Sequence, residues 1–301
     1  MSGIENVDSI NEYKAQLMRR ATYASVTVAF TLIIIKFIAY VLTGSVAVLS
    51  SLVDSVLGAF ASVVNLFAVR HALTPADEEH RFGHGKAEPL AGLAQAAFIA
   101  GSSLFLVFEA INRMINPLQI QHSIVGIVVI VISLVFTILL VMFQKHVVRQ
   151  TQSIAIHADS IHYLSDVAMN LSVIAALILS AYFGWLIADP VFALGIAAYI
   201  VYSAWQIASN SLNQLMDREL PDVDRHRIMK IAMQHPAVKS LHELRTRTSG
   251  KDVFIQLHLE MDGAIALLNA HTIADEVELE LREAFPNADI IIHEDPEGLE
   301  E

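Results

Sequence analysis

Asp54, His162 and Asp166 are the residues whose types and positions point most directly to chemistry. Asp54 lies inside one strongly apolar stretch, and His162 and Asp166 lie inside another. A charged side chain at mid-bilayer depth costs roughly 2.5 to 3.5 kcal/mol on insertion scales, so an ionisable group retained there marks a functional site by default. His162 and Asp166 are four residues apart in HADSIHYLSDVAMN, which places them on one helix face about 6 Å apart along the axis. An imidazole with two carboxylates suits Zn2+, Fe2+, Mn2+ or Cd2+, and an open fourth position lets the ion leave. The bland alternative is a polar contact between helices, the common fate of one isolated polar residue in a bundle. Three converging residues of ligand type favour a transport site for a divalent metal.

Two further sets have ligand types at closer or looser spacing. In TPADEEHRFGHGKAEP, Asp77, His80 and His84 follow the pattern D-x2-H-x3-H, near enough for one ion, and Gly83 and Gly85 give the backbone freedom to fold around it. A solvated loop whose histidines merely titrate fits the same pattern. His242, His258, His271, His293 and Asp295 are spread over the C-terminal region, with His293 and Asp295 two apart and so on one face of a strand. By pattern alone these read as surface residues. His71, His122, His146, His157, His226 and His235 are assigned to interfaces, loops or solvent.

These residues need elements to hold them. The chain has 301 residues, 54% of them hydrophobic, with a mean hydropathy of +0.52. Its apolar runs are long enough to cross about 30 Å of hydrocarbon. Six spans are expected, near 23–42, 46–69, 90–111, 123–144, 155–182 and 188–210. Connectors 1–22, 70–89 and 145–154 carry eight basic residues, whereas the alternate connectors near 43–44, 112–122 and 183–187 carry only Arg113. By the positive-inside rule both termini face the cytoplasm. Spans three and six are rich in Ala, Gly and Ser, which suits close helix packing. No cleavable signal peptide is expected in the polar first 22 residues.

Past the last span, a helix is expected between Pro221 and Pro236, then strands over 240–248 and 252–261 about a Ser249-Gly250 turn. A helix near 267–285 and a final strand, ADIIIHED, complete an αββαβ module. The fold class is thus a six-helix membrane protein with a C-terminal cytoplasmic α+β domain. Its expected segments are 1–22 cytoplasmic, 23–211 transmembrane and 212–301 cytoplasmic. Residues 215–301 hold 19 acidic against 9 basic residues, a net −10 of the chain total of −12. Such a tail repels nucleic acid and draws cations. The absence of cysteine removes disulfides and thiolate ligands, and argues against Cu(I). No H-E-x-x-H or G-x-S-x-G motif stands beside the proposed sites, so the chain reads as a non-enzyme.

LVDS at 52–55, PADEEHRFGHGKAEPLA at 75–91, HYLSDVAMN at 162–170, LMDRELPD at 215–222 and the HELRTRTSG and IIIHEDP segments together resemble the cation diffusion facilitators. The similarity is closest to bacterial members of the ferrous-iron-efflux and zinc-transporter type. That resemblance implies a homodimer in the bacterial cytoplasmic (inner) membrane, each protomer carrying a ferredoxin-like cytoplasmic domain and exporting Zn2+, Fe2+, Cd2+ or Mn2+ in exchange for protons. It also implies that Asp77, His80 and His84 form a loop site. His242, His258, His271, His293 and Asp295 match a binuclear site that helps hold the dimer, and Lys86 and Asp217 match a charge pair tethering membrane helices to the cytoplasmic domain. One departure stands out: the family pattern places a second carboxylate four residues after Asp54, and this chain has Gly58. Water, Ser51, Ser55 or Asn170 are candidates for a fourth contact, none of them carrying a negative charge. Gly58 therefore also sustains a rival reading, a membrane-anchored metal sensor or scaffold without flux. Asp159 and His157, near the start of span five, are read as accessory at most.

Overall fold

The computed structural model describes residues 2–44, 46–115, 124–183 and 187–298. His122 and most of the 112–122 connector lie outside the described residues. The chain divides into two units, residues 1–74 with 87–212, and residues 75–86 with 213–301.

Among the described residues, the first unit is built from six long helices: α1 (Ser2–Thr43), α2 (Val46–Ala72), α3 (Ala87–Ile115), α4 (Ile124–Thr151), α5 (Ile154–Phe183) and α6 (Ala188–Leu215). Among the described residues, α1, α2, α3, α4 and α6 each contain a stretch long and apolar enough to cross a membrane. The N-terminal half of α5 instead carries His157, Asp159, His162 and Asp166. The helices outrun the expected spans because helical backbone continues past the point where side chains turn polar. At the start of the chain this continuation has a packing reason: Leu17, Met18 and Ala21 are buried against Val69, Ala91, Val147 and Ile156. Side chains of α3, α5 and α6 pack together, with Ala96, Ala158 and Ala204 buried beside Ile99, Ile161, Ile200 and Ile207.

The second unit holds α7 (Asp222–Ala232), β1 (Ser240–Ser249), β2 (Asp252–Met261), α8 (Leu267–Ala284) and β3 (Ala288–Pro296). The strand order is β1-β2-β3, with β1 antiparallel and β3 parallel to β2. A parallel neighbour requires a crossover, and α8 supplies it. Period-two alternation in β2 buries Ile255, Leu257, Leu259 and Met261 against Ile228, Val277 and Leu281 of the two helices. His258 is thereby left on the opposite face of the sheet.

Residues 75–86 join this unit. Gly85 lies so close to the Ser249 carbonyl that no Cβ could stand there, and Gly83 adopts φ +76°. Gly85 thus serves contact with the β1–β2 turn. The Arg247 guanidinium lies 5.0 Å from the Phe82 ring centroid and 4.3 Å from that of Phe254.

Candidate metal centres

Helix periodicity brings His162 and Asp166 together on α5, Nε2 to Oδ2 at 4.0 Å. The imidazole is buried, flanked by the Phe98 ring at 5.7 Å and the Tyr163 ring at 5.3 Å. Asp54 sits on the exposed face of α2, near enough for its charge to act on Asp166. Among the described residues these three do not form a group with all ligand atoms within 4.8 Å of one another. At Gly58, a built Cβ would stand 2.8 Å from His162 Nε2. The imidazole fills the room a side chain at that position would need.

The loop set does close. Ligand atoms of Asp77, His80 and His84 all lie within 4.8 Å of one another, with His80 Nδ1 3.4 Å from Asp77 Oδ1 and His84 Nε2 3.3 Å from Asp77 Oδ2. Asp77 Oδ1 also accepts from the backbone N–H groups of His80 (2.6 Å) and Glu79 (3.0 Å), which folds the turn around the carboxylate. The His80 N–H bond foremost, with Glu79 and the two histidines, outweighs desolvation and holds this carboxyl below its ordinary range.

Strand register builds the third set. His242 is paired with His258 across β1 and β2, and His258 with His293 across β2 and β3, so three imidazoles form one row over the sheet. Asp295 lies two residues beyond His293 and serves all three. Its Oδ2 is 2.8 Å from His258 Nδ1 and 3.4 Å from His242 Nε2, and its Oδ1 is 3.0 Å from His293 Nε2. His242, His258 and Asp295 meet the 4.8 Å criterion together. Two nitrogen donors and one oxygen donor at this spacing offer three of the four positions that a tetrahedral dication takes. His271 stands apart on α8, 3.6 Å from Asp275 and 3.7 Å from Glu294. Desolvation works to raise the Asp295 carboxyl, but the His258 hydrogen bond and the charges of His293, His258 and His242 outweigh it and hold it low.

Lys86 Nζ grips both oxygens of Asp217 at 2.9 and 3.0 Å, and Arg247 NH1 reaches the same carboxylate at 3.4 Å. Both members of the Lys86–Asp217 pair belong to the second unit. Of the remaining histidines, His71, His146, His157 and His226 are exposed, and His235 pairs with Glu276 at 3.0 Å.

Sequence reading missed Lys36 and the partners of Asp159. Lys36 on α1 donates to the Ser51 carbonyl (3.2 Å) and to Ser55 Oγ (2.6 Å) on α2. Its signal was the same as that of Asp54, an ionisable residue inside a span. A cation offers no lone pair to a metal, so a search by ligand type passes over it. Asp159, expected to be accessory, is buried where four helices meet. It accepts from Ser25 Oγ on α1 (2.6 Å), Ser62 Oγ on α2 (3.3 Å) and Gln144 Nε2 on α4 (2.7 Å), while Ser62 and Tyr163 hydroxyls bond at 2.9 Å. Ser25, Ser62 and Gln144 are unremarkable one by one, and only the tertiary crossing reveals their common partner.

Residues 22–216 match the family described as the cation efflux transmembrane domain, and residues 220–297 match the cytoplasmic domain of cation efflux proteins. The cation-efflux pump FieF of Klebsiella pneumoniae is 49% identical over 290 residues, 96% of each chain. That of Escherichia fergusonii is 49% identical over 287 residues, 95% of each chain. A solved structure of CzrB in its zinc form is 32% identical and covers 28% of this chain and 98% of its own, with a TM-score of 0.27.

Proposed function

Because this chain belongs to the cation efflux family, the cation diffusion facilitators, and is a cation efflux transporter, we propose that it exports a divalent metal from the cytoplasm in exchange for protons. The cargo is Zn2+, with Fe2+, Cd2+ and Mn2+ served by the same ligand types. The observation that carries this reading is the His162–Asp166 pair, 4.0 Å apart on one long helix, with Asp54 within electrostatic reach. Asp54, His162 and Asp166 hold the ion, and closing the site draws Asp54 toward the pair.

The chemistry is competition between cations. A proton on the imidazole or on a carboxylate occupies the lone pair that held the metal, so protons entering from outside displace it outward. Asp77, His80 and His84 take a second ion in the loop. His242, His258, His271, His293 and Asp295 hold metal in the cytoplasmic domain, where residues 212–301 join two protomers. The protein lies in a bacterial inner membrane, spanning it through residues 23–211, with residues 1–22 and the C-terminus cytoplasmic.

Flux of Zn2+ into proteoliposomes under an imposed pH gradient tests the reading. Native protein is expected to carry Zn2+ only with the gradient, and Asp54→Ala to lose at least about tenfold in rate. Undiminished flux in Asp54→Ala would refute the site. Absence of flux in the native protein, with metal still bound, would favour the sensor reading.

A further inference from the structure

An ammonium group stands beside the proposed transport site. Lys36 Nζ is bonded to the Ser51 carbonyl and to Ser55 Oγ, and these two positions bracket Asp54 along α2. Ser51 is one turn before Asp54 and Ser55 follows it directly, so the cation is held on the turn that presents the carboxylate. Asp166 and Asp54 are the two anions whose fields act on Lys36, and Lys36 in turn acts on Asp166. An ammonium has three donor protons and no lone pair, so it cannot ligate the metal. It shares the metal's attraction to the same two carboxylates.

We propose that Lys36 is the resident counter-cation of the transport site: it offsets part of the charge of Asp54 and Asp166 while the site is empty, and repels the bound dication so that the ion can leave. This rests on the transport-site reading above. Two carboxylates and one ammonium leave a single net negative charge, where the carboxylates alone would leave two. A dication therefore enters a weaker field and binds less tightly. Gly58 sharpens the effect, because the carboxylate that would offset the ammonium is missing from this chain. Lys36 sets affinity and release rate and leaves the ligand set unchanged.

Kinetics of Zn2+ flux in proteoliposomes for Lys36→Gln, Lys36→Met and Lys36→Arg test this. Gln keeps donors for Ser51 and Ser55 but loses the charge. If charge is what matters, Gln and Met both lower KM about tenfold and slow kcat, since the ion binds tighter and leaves more slowly, whereas Arg keeps KM close to native. If Lys36 only ties α1 to α2, Gln behaves as native and Met alone is impaired, which overturns the proposal. Native KM in both Gln and Met also overturns it. Should both variants lose flux, calorimetric Zn2+ binding decides, reading the increment that Asp54→Asn removes: tighter binding in Gln supports the proposal, and unchanged or weaker binding refutes it. Full flux in Asp54→Asn would instead sink the transport-site reading itself, whatever Lys36 does.

Discussion

The imidazole of His162 occupies the room that a side chain at position 58 would take. A Cβ there meets only the far end of a flexible ring, so the ring can swing aside without disturbing backbone. Gly58→Ala is therefore expected to fold, with stability within about 1 kcal/mol of native, because alanine's better helix propensity offsets the displacement. Moving Nε2 away from Asp166 should raise the KM for Zn2+ flux. Gly58→Asp makes the same displacement and adds a charge, so its KM should fall below that of Gly58→Ala. Equal KM values for the two variants would show that a carboxylate at this position contributes nothing. Sequence patterning reached His162 and Asp166 because their spacing is local. Asp159 was legible only as a polar residue near a helix start, since its partners Ser25, Ser62 and Gln144 come from three other helices.

At the scale of elements, β2 was the most legible part of the chain, because alternation of apolar and polar residues fixes which face meets the core. The row of His242, His258 and His293 was not legible. It depends on the offset between strands, including an irregularity between His242 and Arg245, and on the parallel pairing that α8 imposes. Asp295 is the anion that reaches all three imidazoles of that row, with Glu260 reaching His242 alone, and its carboxyl is held below the ordinary aspartate value of about 3.9. A group whose folded value is depressed contributes stability above its unfolded value and loses it as pH falls through the folded one. In metal-free full-length protein, Asp295→Asn should therefore weaken amide-exchange protection of β2 and β3 at neutral pH. The difference from native should close below about pH 4. A difference that persisted undiminished well below about pH 4 would mean that Asp295 acts through shape alone.

For the whole molecule, the distribution of charge and the apolar spans argue one orientation. Eight basic residues fall in connectors 1–22, 70–89 and 145–154, and only Arg113 falls in the alternate ones. Translocating a basic connector is disfavoured, so the proposed topology keeps the three rich in Lys and Arg on the cytoplasmic side together with the acidic C-terminal domain. On the proposed topology the loop set and the His242–His258–Asp295 set both face the cytoplasm, the side from which the proposed export starts. The absence of cysteine makes this directly testable, because an introduced thiol is the sole maleimide target within this chain. Glu78→Cys in the loop and Glu297→Cys at the end of the domain should be labelled by a membrane-impermeant reagent only after cells are permeabilised. His122→Cys, in an alternate connector, should be labelled in intact cells. Both residues 78 and 297 belong to the second unit, so they must report the same side. Labelling of Glu78→Cys in intact cells would invert the topology, and with it the direction in which the proton gradient could drive the ion.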